Sequence, residues 1–230
     1  MNIGIIGAGT MGRILAHGFC EQGHRVCIAN SRGPRTLTAV AAETGATAVT
    51  VIEAAQAGGV VVLAIPTRAV PTLPGGLFVR TAGTVVVDIG NYHPELRDGR
   101  IAAIDGGMPD SQWVAQQIGR PVIKAFNNIY AQSLQDRGCR KGMPGRIGLS
   151  VAGDAPNDKA TVCDLIDELG FDPVNGGTLD DSWRQQTGTP AYCQDLDAAA
   201  LRDALARAER RRVAEYRTEQ EARIRKSMAV

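Results

Sequence analysis

Ile3-Gly4-Ile5-Ile6-Gly7-Ala8-Gly9-Thr10-Met11-Gly12 decides the fold of this chain. An apolar strand runs straight into Gly-x-Gly-x-x-Gly. The apolar residues that follow, Met11, Ile14, Leu15 and Phe19, recur at helical spacing until Gly23 ends the run. This order puts a helix N-terminus, with free N–H groups and a positive dipole end, at the carboxyl end of a strand. Each glycine has a mechanical reason. Gly7 permits the tight turn, Gly9 lets the backbone approach a pyrophosphate, and Gly12 lets the helix pack close to the sheet. Gly7, Ala8, Gly9, Thr10, Met11 and Gly12 are therefore expected to bind a dinucleotide. A purely structural glycine turn is the alternative.

The second strand, Arg25–Asn30, ends in Ser31-Arg32 and carries no acid. A carboxylate there would accept hydrogen bonds from the adenosine ribose and select NAD, whereas a hydroxyl and a guanidinium suit a 2′-phosphate. The expected cofactor is NADP(H), held by Ser31 and Arg32 with Arg35 adding from the following turn. A solvated loop arginine is the other reading of Arg32.

Outward from this segment, short aliphatic runs alternate with helical patterns. Pro34–Glu43 reads as a helix followed by Gly45, and Ala46–Val49 as a brief strand. Thr50-Val51-Ile52-Glu53 is a capping-box pattern opening a short helix. Gly59–Ile65, Thr84–Ile89 and Pro121–Phe126 are almost wholly aliphatic, as strands buried on both faces are. Arg146–Val151 and Phe171–Val174, with a helix over Asn157–Leu169 between them, are expected to extend the same sheet. The fold class is α/β: a doubly wound, mostly parallel sheet with a C-terminal helical tail. Residues 1–180 form the nucleotide-binding domain and 181–230 a C-terminal segment. From about Asp197 basic and acidic residues interleave around a Leu201, Leu205, Ala208 stripe. That pattern predicts a charged helix, solvated or packed on a partner subunit, fraying towards its end.

Composition narrows the class. The 230 residues carry a formal charge of +1, with 44% apolar and 4% aromatic side chains. Near neutrality gives no electrostatic case for nucleic acid or an anionic membrane. No apolar run reaches the roughly 20 residues a bilayer span needs. Met1 is followed at once by the first strand, which leaves no room for a leader. Five scattered cysteines, Cys20, Cys27, Cys139, Cys163 and Cys193, read as free thiols of a reducing compartment, so a cytoplasmic location is expected.

Ligands of such sheets bind at the carboxyl ends of the strands. Strand four exits through Ala64-Ile65-Pro66, strand five through Gly90-Asn91-Tyr92-His93, strand six through Ala125-Phe126-Asn127-Asn128. Small groups at these exits let a flat nicotinamide lie against backbone. Asn91, Asn127 and Asn128 offer amides to a carboxamide or a substrate carbonyl, although a single asparagine is as readily a turn former. His93 and Lys124 are candidate proton donors. His17, His24 and His93 have no metal-ligand spacing, and neither Gly-x-Ser-x-Gly nor Cys-x-x-Cys occurs.

The order of Gly7–Gly12, Ser31-Arg32, Ala64-Ile65-Pro66, Lys124-Ala125-Phe126-Asn127, Val151-Ala152-Gly153-Asp154 and Gly170-Phe171-Asp172-Pro173-Val174 through Gly177-Thr178-Leu179 resembles the coenzyme F420-dependent NADP oxidoreductase family. The resemblance covers roughly residues 1–180. It implies a Rossmann sheet with NADP(H) across its carboxyl edge, Ser31 and Arg32 at the 2′-phosphate, and Ala64-Ile65-Pro66 and Ala125 near the nicotinamide. It also implies direct hydride transfer to a flavin-like second partner (F420, FMN or FAD) or another small unsaturated acceptor, and a homodimer. Such transfer relies on positioning rather than on a strong acid or base. After Leu179 the chain departs from the family pattern, and Trp183 and Tyr192 either line an acceptor pocket or anchor the tail. Two other functions fit: an imine or keto/hydroxy-acid reductase of the β-hydroxyacid dehydrogenase type, and a non-catalytic NADP-binding sensor acting through its C-terminal helix. Only about 50 residues follow the sheet, which argues against the large helical domain of the former.

Overall fold

The computed structural model describes residues 1–79, 81 and 83–228. Eight strands and nine α-helices follow one another among them: β1 (Asn2–Ile6), α1 (Thr10–Glu21), β2 (Arg25–Ala29), α2 (Thr38–Thr44), β3 (Thr47–Ala48), α3 (Val51–Ala55), β4 (Val60–Leu63), β5 (Val85–Asp88), α4 (Ala102–Asp105), α5 (Asp110–Ile118), β6 (Ile123–Lys124), α6 (Ala131–Asp136), β7 (Gly148–Val151), α7 (Pro156–Glu168), β8 (Asp172–Asn175), α8 (Ala198–Arg207) and α9 (Val213–Met228). β1 to β6 make one parallel sheet in the order β3-β2-β1-β4-β5-β6. The order reverses between β1 and β4, which opens a crevice outside their carboxyl ends.

The aliphatic strands behave as strands covered on both sides do. Along β4, Val60 and Val62 enter one apolar cluster with Leu15, Phe19 and Leu165. Val61 and Leu63 enter the opposite cluster with Ala54, Trp113 and Val114. Each such valine or leucine contributes roughly 1.5–3 kcal/mol through burial. Local signals act where the sequence places them. Thr50 and Glu53 close a reciprocal capping box, with Thr50 N–H donating to Glu53 Oε2 at 2.8 Å and Glu53 N–H to Thr50 Oγ1 at 3.3 Å. Gly45 ends α2 in the left-handed region at φ 77°.

Three expectations change. Residues 146–151 and 171–174 do not simply continue the sheet. β7 and β8 pair with each other in a separate two-stranded parallel sheet. One antiparallel bridge, Lys124 to Ala152, joins it to β6. The helix expected over 34–43 is divided, a 3-10 turn at Pro34–Leu37 leading into α2. The charged tail is two helices separated by a 3-10 turn at Arg210–Arg212. α9 packs one face on its own chain, with Tyr216, Arg217 and Glu221 buried at 8%, 5% and 3% exposure, while most of its other residues are exposed, as a solvated helix was expected to be. The expected fraying concerns an end whose last two residues lie outside the described ones. Among the described residues, no helix is long and apolar enough to cross a membrane.

Candidate active site

Gly7 and Gly12 make the tight turn and the close helix packing that were expected of them. Gly7 has φ 119°, and a β-carbon there would meet the Ala64 carbonyl oxygen at 2.2 Å. A β-carbon on Gly12 would lie 2.0 Å from the Gly7 oxygen and 3.4 Å from the Ala64 methyl. These close approaches bring the start of α1 against the exit of β4. Gly9 is different, because a β-carbon there would meet nothing within 4 Å. Gly9 is the N-cap of α1 and supplies no side-chain cap, and the first turn carries no acid. The loop thus offers an open cradle beside N–H groups without a side-chain acceptor, which fits a pyrophosphate.

At the end of β2 the loop is built by side chains that sequence reading passed over. Asn30 Oδ1 accepts from the Arg32 N–H at 2.9 Å, and Asn30 Nδ2 donates to Thr36 Oγ1 at 2.9 Å. Ser31, Arg32 and Arg35 are exposed. Among the described residues, neither arginine forms an ion pair, so both charges stand free at the loop. That donor set fits a 2′-phosphate.

The exits of β5 and β6 meet in a buried cluster of amides. Asn127 Nδ2 donates to Asn91 Oδ1 at 3.0 Å and to the Gln185 carbonyl at 2.7 Å. Asn91 Nδ2 donates to the Asn127 carbonyl at 3.1 Å. Gln185 Nε2 donates to Asn127 Oδ1 at 2.8 Å, and Gln185 Oε1 accepts from Ser150 Oγ at 2.6 Å. Gln185 is fully buried, Asn127 is 2% exposed, and Asn91 is half-buried. Both Asn127 amide hydrogens are therefore taken, and Asn91 keeps one. Asn128 faces away, its Oδ1 accepting from Ser150 N–H at 3.2 Å. Gln185 was not among the expected residues. Its partners lie 58 and 35 positions away, so no local signal marks it.

Phe126 makes this geometry possible. It is fully buried and has φ 58°, a left-handed conformation that is costly for an aromatic residue. Its ring packs edge-on to Phe19 at 6.4 Å. The reversal turns the chain between Ala125, also fully buried, and Asn127.

Lys124 and His93 are not free acids at the crevice. Lys124, 1% exposed, donates to Asp88 Oδ2 at 3.0 Å and also to the Gly90 carbonyl. Ser111 Oγ donates to the same Asp88 oxygen at 2.6 Å, and Gly90 N–H to Asp88 Oδ1 at 2.9 Å. The pair thus fixes the β5 exit. Burial, with Arg97 nearby, pulls the His93 pKa down to about 4, so its imidazole is neutral at pH 7. Glu221 on α9 lies 3.9 Å from its Nδ1, and Asp98 accepts from the His93 backbone N–H at 2.8 Å. Ala64, Ile65 and Pro66 are half-buried beside the glycine loop. Trp183 and Tyr192 are nearly buried, at 7% and 8% exposure.

A family model described as NADP oxidoreductase, coenzyme F420-dependent, matches residues 2–92. The Escherichia coli protein YjhV is 41% identical over 82 residues, which cover 36% of this chain and 53% of that protein. The chain thus spans about half the length of the curated relative it matches. A solved structure of a hypothetical protein from Sinorhizobium meliloti is 32% identical, covers 85% of this chain and 95% of its own, and superposes with a TM-score of 0.72. A proposed F420-dependent NADP reductase from Arthrobacter is 24% identical, covers 78% of this chain and 86% of its own, and has a TM-score of 0.65, a likeness of fold.

Proposed function

The chain belongs to the coenzyme F420-dependent NADP oxidoreductase family, and from that premise we propose that it moves hydride between NADP(H) and a small, planar, flavin-like acceptor. The observation that carries the reading is the open cradle at Gly9 after β1 together with the exposed guanidinium of Arg32 after the neighbouring β2. In this reading the loop Gly7–Gly12 and the N-terminus of α1 hold the pyrophosphate, while Ser31, Arg32 and Arg35 hold the 2′-phosphate. Ala64, Ile65 and Pro66 form the wall for the nicotinamide.

When bound, the nicotinamide supplies or receives the hydride. The chain's own residues bind and orient. Asn91 presents its remaining N–H to a carboxamide or to the acceptor, and Asn127 and Gln185 fix the Asn91 amide plane. Lys124 is a positioning residue that holds Asp88 and the Gly90 carbonyl. Ring-to-ring hydride transfer needs no proton donor, because alignment supplies most of the rate.

The test incubates the protein with NADPH and, in separate arms, F420, FMN, FAD, a ferric chelate, a cyclic imine and a 2-keto acid, following loss of reduced nicotinamide. Turnover with F420 or a flavin is expected. Turnover confined to the imine or keto acid would move the protein to the other reductase type. Tight NADPH binding with no turnover in any arm would make it a sensor.

A further inference from the structure

α9 leaves a cavity of about 270 Å³ against the body of the protein, between its first turns, the bend after α4 and the 3-10 turn Asp180–Gln185. Met108, Trp183 and Val213 give it an apolar side, and Arg217 and Gln186 a polar one. It lies apart from the glycine loop and from the Asn91–Asn127 amides, and neither contributes a lining residue.

The polar side is under-used by the protein itself. Gln186 is 2% exposed, yet its Nε2 has no hydrogen-bond acceptor. Arg217 is 5% exposed and stacks on the Tyr92 ring at 4.7 Å. Its facing carboxylates, Asp105 at 3.7 Å and Asp110 at 3.9 Å, are too distant for direct hydrogen bonds. The cations nearer the rim are committed. Arg210 makes two 2.8 Å bonds to Asp180, and Arg211 reaches Glu209 at 2.8 Å. Glu221, one turn further along α9, accepts from the Glu95 N–H instead. Asp110 Oδ1 has no hydrogen-bond partner, and burial pushes its carboxyl upward.

A buried amide N–H without an acceptor, beside a guanidinium that makes no direct hydrogen bond to its two facing carboxylates and set against an apolar wall, suits a ligand with a carboxylate at one end and hydrocarbon at the other. The volume suits a small ligand better than a nucleotide or a long chain. We propose that this cavity binds a small aliphatic carboxylate, the carboxylate accepting from Arg217 and Gln186 and the hydrocarbon lying on Met108, Trp183 and Val213. The inference stands independently of the NADP(H) reading.

Trp183 is one of two tryptophans, so a Trp113→Phe background makes it a reporter inside the cavity. In the full chain, butyrate is expected to change its fluorescence saturably, and butyramide, the neutral isostere, to leave it unchanged. Arg217→Gln and Gln186→Glu are each expected to weaken butyrate at least tenfold. Gln186→Glu keeps Arg217 in place and answers the question if Arg217→Gln fails to fold. A non-saturable response, an equal response to butyramide, or unchanged affinity in Gln186→Glu overturns the proposal. Binding of inorganic phosphate without butyrate does so as well.

Discussion

The Lys124 ammonium sits 3.0 Å from the Asp88 carboxylate, with side chains 1% and 4% exposed. Removing one partner of such a pair strands the other charge in a low-dielectric interior, which typically costs about 3–5 kcal/mol. Lys124→Met is expected to lose about that much in urea unfolding. Asp88→Asn combined with Lys124→Met should recover a large part, because no charge is left buried. Equal losses in the single and double variants would contradict this account.

Gly9 and Gly12 separate binding from packing. Gly12→Ala drives a methyl to 2.0 Å from the Gly7 oxygen and should destabilise the fold by about 1–3 kcal/mol. Gly9→Ala meets open space, so stability should change by about 1 kcal/mol or less. NADPH affinity should nevertheless fall roughly tenfold or more, or about 1.4 kcal/mol. Thermal melts with and without NADPH distinguish the two effects.

Arg32→Glu removes a charge-assisted donor from the exposed loop and should weaken NADPH roughly ten- to a hundredfold relative to NADH. Titration calorimetry with both dinucleotides measures the ratio. An equal loss for both would remove Arg32 from the 2′-phosphate site.

Gln185→Leu leaves Asn127 Oδ1 without the donor it has at 2.8 Å and Ser150 Oγ without its acceptor. A stability loss of about 2–3 kcal/mol is expected from the stranded polar groups. In the proposed reaction, kcat should fall while NADPH affinity holds, because the Asn91–Asn127 amide plane loosens. A loss in stability alone would make Gln185 purely structural.

His93 imposes a pH dependence of known sign. The unfolded chain takes up the imidazole proton below about 6.5, the folded chain only below about 4. Unfolding therefore binds a proton between those values, and stability falls as pH drops from about 6.5 towards 4. The effect is at most about 3 kcal/mol. The raised carboxyls of Asp110 and Glu221 act in the opposite direction. The comparison of wild type with His93→Gln across a pH series isolates the imidazole, and the variant should show the flatter profile.

What was legible in the sequence was local. The strand-to-helix glycine turn, the Thr50–Glu53 capping box and the valine runs of β4 and β5 each depend on a few neighbouring residues. Their periodicity and spacing therefore reveal them. The crevice was legible as a set of strand exits, which brought Asn91 and Asn127 together correctly in outline. The partners that give those exits their shape were not. Gln185 reaches Asn127 across 58 positions, Glu221 meets Glu95 across 126, and Arg217 stacks on Tyr92. The fate of Lys124 was equally hidden, because a lysine that ends a strand looks the same in sequence whether it faces solvent or a buried aspartate. The π-helical turn Pro94–Asp98 and helices α4 and α5 lack a long apolar period, so no pattern announced them.

The single bridge between Lys124 and Ala152 makes the body two plates meeting at a seam. The amide cluster lies across that seam, with Asn127 on one plate, Ser150 on the other and Gln185 riveting both. One hydrogen of the Asn127 amide goes to the Gln185 carbonyl in this rivet and the other to Asn91 on its own side. A ligand that drew on the hydrogen held by Gln185 would do so at the expense of the seam. Tightness of grip and stiffness of frame are thus drawn from that one proton, and a looser seam accompanies any contact it makes elsewhere.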